Sequence, residues 1–460
     1  LGNFWCFPYT AGENGGGAFI MIYLACVLFL GLTVLMAEYA IGRKSGMSAI
    51  EGIHSLSRAE GKSSNWGVVG WIGSLAAFFI LTFYVVISAW VIEFIPQALG
   101  NEFQDFAAEA ARQTATAQAI DPNAEVVTIA NVSAQNFSES IGDKLKVASY
   151  LLLFIVVNVF IVARGVKGGI ERAATILMPA FFILLIGIVG FALIEGDAAA
   201  AADFLLRPDF SEVGFGTFLA AVGQAFFSLS VGSCLMITYG AYLSRDTNIP
   251  KSSGIVAGAD TLVALIAGFA IFPIVFAFGA DPAAGPGLFF ISLPIAFGVM
   301  GDIGHYVGSA FFVLALFAAL TSSISLMEVG VSWLEERQGV TRQGAAIGVG
   351  FVLFMIGMGY VFSDEFIGFV DFMTGNIMLP LCALLVAVFA GWVMSRHMFE
   401  SELGEGNIMN IWRFMMRWVV PPALAFVLIF GSLDSLQEGF AVQLPDFLTV
   451  ILGPNVPVLG

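Results

Sequence analysis

The chain has 460 residues, 58% of them hydrophobic and 11% charged, with mean hydropathy +0.91 and a formal net charge of −16. A soluble domain is nearer about 25% charged, and apolar runs of twenty or more residues recur along the whole length, so the reading is an all-α integral membrane protein. The acidic balance argues against nucleic acid as a partner. Cys6, Cys26, Cys234 and Cys382 lie scattered in apolar segments without metal spacing and read as small hydrophobes.

In chain order, spans are expected at about 1–11, 18–41, 68–99, 148–163, 173–194, 217–243, 255–278, 305–334, 345–362, 366–394 and 411–431, about eleven in all. The first is half a span, cut by Gly15-Gly16-Gly17. Leu1 is not Met, and half a helix cannot cross a bilayer, so further native residues are expected ahead of it. No cleavable signal peptide is visible. Fourteen basic residues fall on alternate loops: Arg43, Lys44, Arg58, Lys62, Arg164, Lys167, Arg172, Arg245, Lys251, Arg337, Arg342, Arg396, Arg413 and Arg417. Four fall on the others: Arg112, Lys144, Lys146 and Arg207. This split puts the N-terminus and the loop after the second span in the cytoplasm of a multi-pass cell-membrane protein.

The polar stretch 100–143 is then extracellular, and its Asn131-Val-Ser133 and Asn136-Phe-Ser138 have the form of glycosylation sequons. The loop 279–304, also outside, is long enough to fold over an opening. The tail after Ser432 is too short and Pro-broken to read as a twelfth span. Ten spans divide as five plus five, 1–194 and 217–394, with 411–431 as an extra helix in a single domain. An odd number per half forces opposite topologies. The first and sixth spans carry polar, Gly-containing midpoints, the pattern of broken helices in an inverted repeat.

The stretch 223–234, Gly-Gln-Ala-Phe-Phe-Ser-Leu-Ser-Val-Gly-Ser-Cys, carries most of this signal. Ser228 is about eleven residues into its run, roughly 16 Å deep. Helix unwinding there would free carbonyls and hydroxyls for a small cation and a ligand; close helix packing through small residues is the alternative. Asp260 sits about nine residues past Lys251, roughly 13 Å inside. A carboxylate there needs a cation or a donor; it reads as a cation ligand or as a protonated or water-exposed acid. Thr321, Ser322 and Ser323 lie at the centre of the eighth span, as ligands or as hydroxyls bonded back to the preceding turn. Tyr84 is a packed aromatic or a hydroxyl donor to a carboxylate. Glu38 is five residues from Arg43, within reach of water by snorkelling.

Leu1-Gly-Asn-Phe-Trp-Cys-Phe-Pro-Tyr followed by Glu13-Asn-Gly-Gly-Gly-Ala-Phe resembles the first-span signature of the neurotransmitter:sodium symporter family. Gly223-Gln-Ala-Phe-Phe-Ser-Leu-Ser, Ile237-Thr-Tyr-Gly-Ala-Tyr, Arg164-Gly-Val-Lys-Gly-Gly-Ile-Glu-Arg and Leu320-Thr-Ser-Ser extend the resemblance in order over nearly the whole chain. It implies two sodium sites. The first would use Asn3, Ser228, Asp260 and the substrate carboxylate. The second would use the Ala318 carbonyl and the Thr321 and Ser322 hydroxyls, completed by backbone ahead of Leu1. The substrate carboxylate would meet the Leu1 and Gly2 amides and the Tyr84 hydroxyl. Its amine would meet the Phe227 and Ser228 carbonyls and the Ser230 hydroxyl. Ile80, Phe227, Ser233, Ser322 and Leu326 would line the side-chain pocket, and Glu38 would brace the broken sixth helix. Tyr242 and Glu336 would belong to a cytoplasmic gate, Cys6 and Asp371 to an outer one.

Three departures from the family pattern stand out. Cys6 occupies the place of an Arg that elsewhere pairs with the acid matching Asp371. Ser233 replaces a larger residue of some relatives, leaving room for a bulky substrate. Asp260 replaces the Asn of chloride-dependent members, and its fixed charge would do the work of chloride. The resemblance thus implies sodium-coupled symport of a neutral, hydrophobic or aromatic amino acid by alternating access, without chloride. One charge crossing 100 mV supplies about 2.3 kcal/mol and a tenfold gradient about 1.4 kcal/mol. Two ions give roughly 7 kcal/mol, a concentration ratio of roughly 10⁵. Transport of a biogenic amine stays open, because amine-selective relatives differ at the residue before Leu1. So does a ligand sensor or channel. An intramembrane enzyme has less support, since His54, His305 and His397 are far apart and form no His-Glu-x-x-His.

Overall fold

In hydrocarbon every backbone N–H and C=O has to be satisfied within its own segment, so apolar runs of this length fold as helices. The computed structural model describes residues 2–440, apart from 123, 212, 280, 281, 283–286 and 364. Among these residues nine helices are long and apolar enough to cross a bilayer: α2 (Gly17–Ser45), α3 (Gly67–Leu99), α4 (Lys144–Val162), α5 (Val166–Glu195), α7 (Ile249–Ala277), α8 (Gly304–Gln338), α9 (Arg342–Phe362), α10 (Phe366–Val393) and α11 (Asn407–Ser432). Two of the expected spans are shorter helices: α1 (Cys6–Glu13), and α6, which is made of two pieces, Phe215–Ser228 and Leu235–Ala241. With these two the expected eleven are present. The tail beyond 440 lies outside the described residues.

The interior is divided into two apolar cores. One is built on α3, α4, α5, α8 and α9, with α3 and α8 packed along each other. The other is built on α2, both pieces of α6, α10 and α11. The start of the chain joins them: Phe4, just ahead of α1, packs in the first core and Phe7, within α1, in the second. Leu235, just past the break in α6, is in the first core while Cys234 is in the second. The broken segments therefore lie where the two cores meet.

The α6 break has a definite conformation. Ser230, Gly232 and Cys234 have φ of +54°, +82° and +58°. For the two non-glycine residues the left-handed region costs about 1–2 kcal/mol each, so something must hold them. Glu38, fully buried on α2, accepts the Gly232 N–H at 2.7 Å. Ser233 Oγ donates to the Ser230 carbonyl at 2.6 Å, and the Val231 N–H reaches the Phe226 carbonyl at 3.1 Å. Gly232 is needed for a second reason: a Cβ there would lie 2.4 Å from the Leu379 carbonyl of α10. Glu38 therefore does not snorkel to water; it satisfies an amide that the break leaves bare.

Other parts of the chain were not legible in advance. The stretch 100–143 is largely helical, Phe106–Ile120 and Ile129–Gly142. It is tied to α3 by Gln97, which donates to Ser140 at 2.8 Å; Gln97 also donates to Glu93 of α3 at 2.9 Å, and Lys146 of α4 holds the same carboxylate at 2.6 Å. Both sequon asparagines are in the second helix; Asn131 caps its first turn, and Asn136 donates to Gln97 at 2.9 Å. The loop 279–304 contains helical turns over Leu288–Val299 that bury Phe289, Phe290 and Phe297.

Removing the Glu38 carboxylate should expose the strain of the break. Glu38→Ala leaves the Gly232 amide buried and unpaired, at about 1–3 kcal/mol, while Glu38→Gln keeps an acceptor. In detergent, thermal unfolding of Glu38→Ala is expected well below that of Glu38→Gln. Equal midpoints for the two variants would contradict the bracing role.

Candidate functional site

Three elements far apart in sequence deliver oxygen atoms to one point. Asn3, just ahead of α1, donates from Nδ2 to Asp260 Oδ1 at 2.6 Å and to the Asp260 carbonyl at 3.0 Å. Ser228 Oγ, at the end of the first piece of α6, contacts Asn3 Oδ1 at 2.6 Å and also Asp260 Oδ2. Tyr23 of α2 brings its hydroxyl to 3.3 Å from the same Ser228 oxygen. Ser228 thus makes three oxygen–oxygen contacts, and with Asp260 ionised the two hydroxyls involved carry only two protons between them. One contact has no hydrogen to share. A small hard cation suits such a group of carbonyl, hydroxyl and carboxylate oxygens.

A cavity of about 460 Å³ opens on this group. Ala318, Thr321 and Ser322 of α8 line it. Thr321 Oγ1 donates back to the Phe317 and Ala318 carbonyls, each at 3.0 Å, so its proton is occupied and its lone pairs remain for an ion. Gly2, Ile80, Tyr84, Phe227, Ser230, Ser233 and Leu326 line the same space. The expected substrate-contacting residues are therefore together, except Leu1, which is outside the described residues. The Tyr84 hydroxyl is buried and makes no hydrogen bond of ordinary geometry; its polar neighbour is Ser322.

Gly2, Tyr84, Phe227 and Leu379 also line a second cavity, of about 720 Å³, so they form the partition between the two. A Cβ on Gly2 would come within 2.9 Å of the Phe227 ring, which explains the small residue under it. Cys6 and Asp371 both face this second cavity. Among the described residues Asp371 makes no ion pair.

Tyr242 and Glu336, both expected at a cytoplasmic gate, have different partners. Tyr242 donates to Glu328 Oε1 at 2.8 Å, and Glu328 also holds Arg342. Glu336 instead accepts the Ser48 N–H at 2.8 Å, ahead of the helix Ala49–Ala59. The reason is reach: Glu336 is eight residues further along α8, about 12 Å beyond Glu328. Glu328 carried a signal that went unused, since an acid this deep in an apolar span calls for a partner by the same rule as Asp260. Tyr23 carried none; a tyrosine in an apolar run is ordinarily packing.

The sequence profile of the Sodium:neurotransmitter symporter family matches residues 1–451. The chain belongs to this family. A sodium-dependent transporter of Haemophilus influenzae is 34% identical over 448 residues, 93% of each chain. The sodium-dependent transporter YhdH of Bacillus subtilis is 32% identical over 449 residues, 94% of this chain and 93% of its own. The crystal structure of MhsT in complex with L-phenylalanine matches with a TM-score of 0.80 at 35% identity, over 93% of this chain and 95% of that one. The protein is a multi-pass, sodium-dependent membrane transporter of the symporter family, not an enzyme.

Sodium binding should depend on the oxygen group. Hydrogen-bond and ion contacts to a charged group are worth about 1.5–3 kcal/mol. Asp260→Ala is therefore expected to raise the sodium concentration giving half-maximal thermal stabilisation by at least about tenfold. Tyr23→Phe, which removes one neutral contact of about 1 kcal/mol, should raise it about fivefold. An unchanged sodium response in Asp260→Ala would remove this carboxylate from the site.

Proposed function

We propose that this transporter moves a neutral amino acid with a hydrophobic or aromatic side chain together with two sodium ions, without chloride. The observation that carries the reading is the sharing of one cavity by the Asn3–Ser228–Asp260 oxygens and the apolar Ile80, Phe227 and Leu326. The first ion is held by Asn3, Ser228, Asp260 and the substrate carboxylate. The second is held by the Ala318 carbonyl and the Thr321 and Ser322 hydroxyls. The carboxylate also takes the Leu1 and Gly2 amides and the Tyr84 hydroxyl. The ammonium takes the Phe227 and Ser228 carbonyls and Ser230, and the side chain lies among Ile80, Phe227, Ser233, Ser322 and Leu326. The L-phenylalanine bound by MhsT supports this class of substrate.

The fixed charge of Asp260 stands in for chloride. The two halves, 1–194 and 217–394, act as inverted repeats that alternate access to the site. The protein lies in the cell membrane with its Arg- and Lys-rich face and its N-terminus in the cytoplasm. Tyr84 and Phe227 close the path on the outer side, with Cys6 and Asp371 above them; Tyr242, Glu328 and Glu336 belong to the inner gate.

The test is uptake of labelled L-phenylalanine into proteoliposomes. Accumulation is expected with an inward sodium gradient, none with choline, and no change when gluconate replaces chloride. Uptake persisting without sodium would refute coupling, and loss of uptake in gluconate would refute the role of Asp260. Sodium-dependent binding without flux would assign the protein to the sensors.

A further inference from the structure

Three arginines meet where α10 ends and α11 begins. Arg417 Nε donates to the Gly391 carbonyl at 2.5 Å and Arg413 Nη2 to the Met394 carbonyl at 3.4 Å. They cap carbonyls left free at the C-terminus of α10. Capping uses a small part of the five donors of each guanidinium. The charged groups facing Arg413 are Arg417, Arg396 and Glu400. Glu400 is already paired with Arg396 at 2.5 Å. Among the described residues no carboxylate lies within 4.0 Å of Arg413 or Arg417, and Arg413 Nη1 is buried without a partner. Two positive charges are left over.

The backbone around them is also unusual. Both helices carry a π-turn here, Phe389–Val393 in α10 and Met415–Val419 in α11, and the two turns pack on each other. Such turns are rare and frequently mark functional sites. Trp392 and Trp418 flank the arginines with ring centroids 5.0 Å apart, and they are 51% and 60% exposed. The Arg417 guanidinium lies 5.6 Å from the Trp392 ring. Exposed tryptophans of this kind mark the headgroup level of a bilayer. Arg417 is ten residues into α11, about 15 Å from its start. Hydrocarbon would not accept two unpaired cations, and bulk water would not select the tryptophans.

We propose that the α10–α11 junction binds the phosphate of an anionic phospholipid headgroup, with Arg413 and Arg417 as its donors and Trp392 and Trp418 beside the glycerol and upper acyl chains. Basic pockets between membrane helices are suited to such headgroups. The exposed Ile411 and Phe414 on the same helix favour a lipid over a soluble anion. The bound lipid would anchor α10, whose Leu379 carbonyl abuts Gly232 in the α6 break. The site does not depend on the identity of the transported substrate.

The full chain reconstituted in phosphatidylcholine vesicles provides the test. The quenching of Trp392 and Trp418 by brominated phosphatidylglycerol is compared with that by brominated phosphatidylcholine, taking the difference from the Trp392→Phe/Trp418→Phe variant. Stronger quenching by the anionic lipid at equal mole fraction is expected. Each arginine removed in Arg413→Gln and Arg417→Gln should raise the mole fraction for half-quenching about fivefold, from about 1 kcal/mol per charge. Arg413→Lys/Arg417→Lys should keep most of the preference, and Arg58→Gln/Lys62→Gln all of it. Equal quenching by the two lipids in the wild type would overturn the proposal. So would an equal loss in the Arg58/Lys62 variant, which would mean a diffuse field, or loss of the preference on adding inorganic phosphate, which would mean a soluble anion.

Discussion

At the middle of this protein more oxygen atoms meet than there are protons to bind them. Asn3, Ser228, Asp260 and Tyr23 come from four separate segments, and their contacts around Ser228 exceed the available hydrogens by one. In a dry interior such a group is costly unless a cation completes it. The rest of the fold follows from that requirement. A continuous α6 would keep its carbonyls in the helix ladder, so the helix ends at Ser228 and restarts at Leu235. The apolar walls around the point keep water from competing for the same oxygens. On the proposed assignment of the sodium site, the sodium dependence shared by the family would have its physical origin here.

A break of this kind has to be stable without being rigid. Two non-glycine residues in the left-handed region are held by a few hydrogen bonds and one buried carboxylate, Glu38. The break also lies at the seam between the two apolar cores, where relative movement disturbs the least packing. Tyr84 and Phe227 lie at the same seam and separate the two cavities. Motion of one core against the other would therefore act on the ion site, the substrate pocket and the partition together. Interrupted helices facing a midplane site are how secondary transporters of this class join binding to access.

Most of the architecture was legible in the sequence because lipid leaves the chain so few choices. The count of spans and the position of the α6 break follow from apolar run length and from Ser and Gly at mid-depth. The depth of Asp260 and the motifs around Asn3 and Ser228 point to three side chains that do meet in the fold. What escaped notice depends on three-dimensional reach. Glu328 and Glu336 share a helix and a side-chain type, and only the end of α6 decides which one meets Tyr242. The helices within 100–143 are polar, the first of them Ala-rich, with too little periodicity to separate from a polar loop. Tyr23 sits in an apolar run, where a hydroxyl carries no sequence signature.

The central claim is that ion and cargo bind as one unit, through a carboxylate they share. Thermodynamic linkage then demands reciprocity: the factor by which sodium tightens L-phenylalanine must equal the factor by which L-phenylalanine tightens sodium. Equilibrium binding of labelled sodium to the purified protein, with and without L-phenylalanine, measures this directly. The account predicts a large and equal coupling from both directions, reduced in the Asp260→Asn protein. Sodium binding that is indifferent to the amino acid would contradict it.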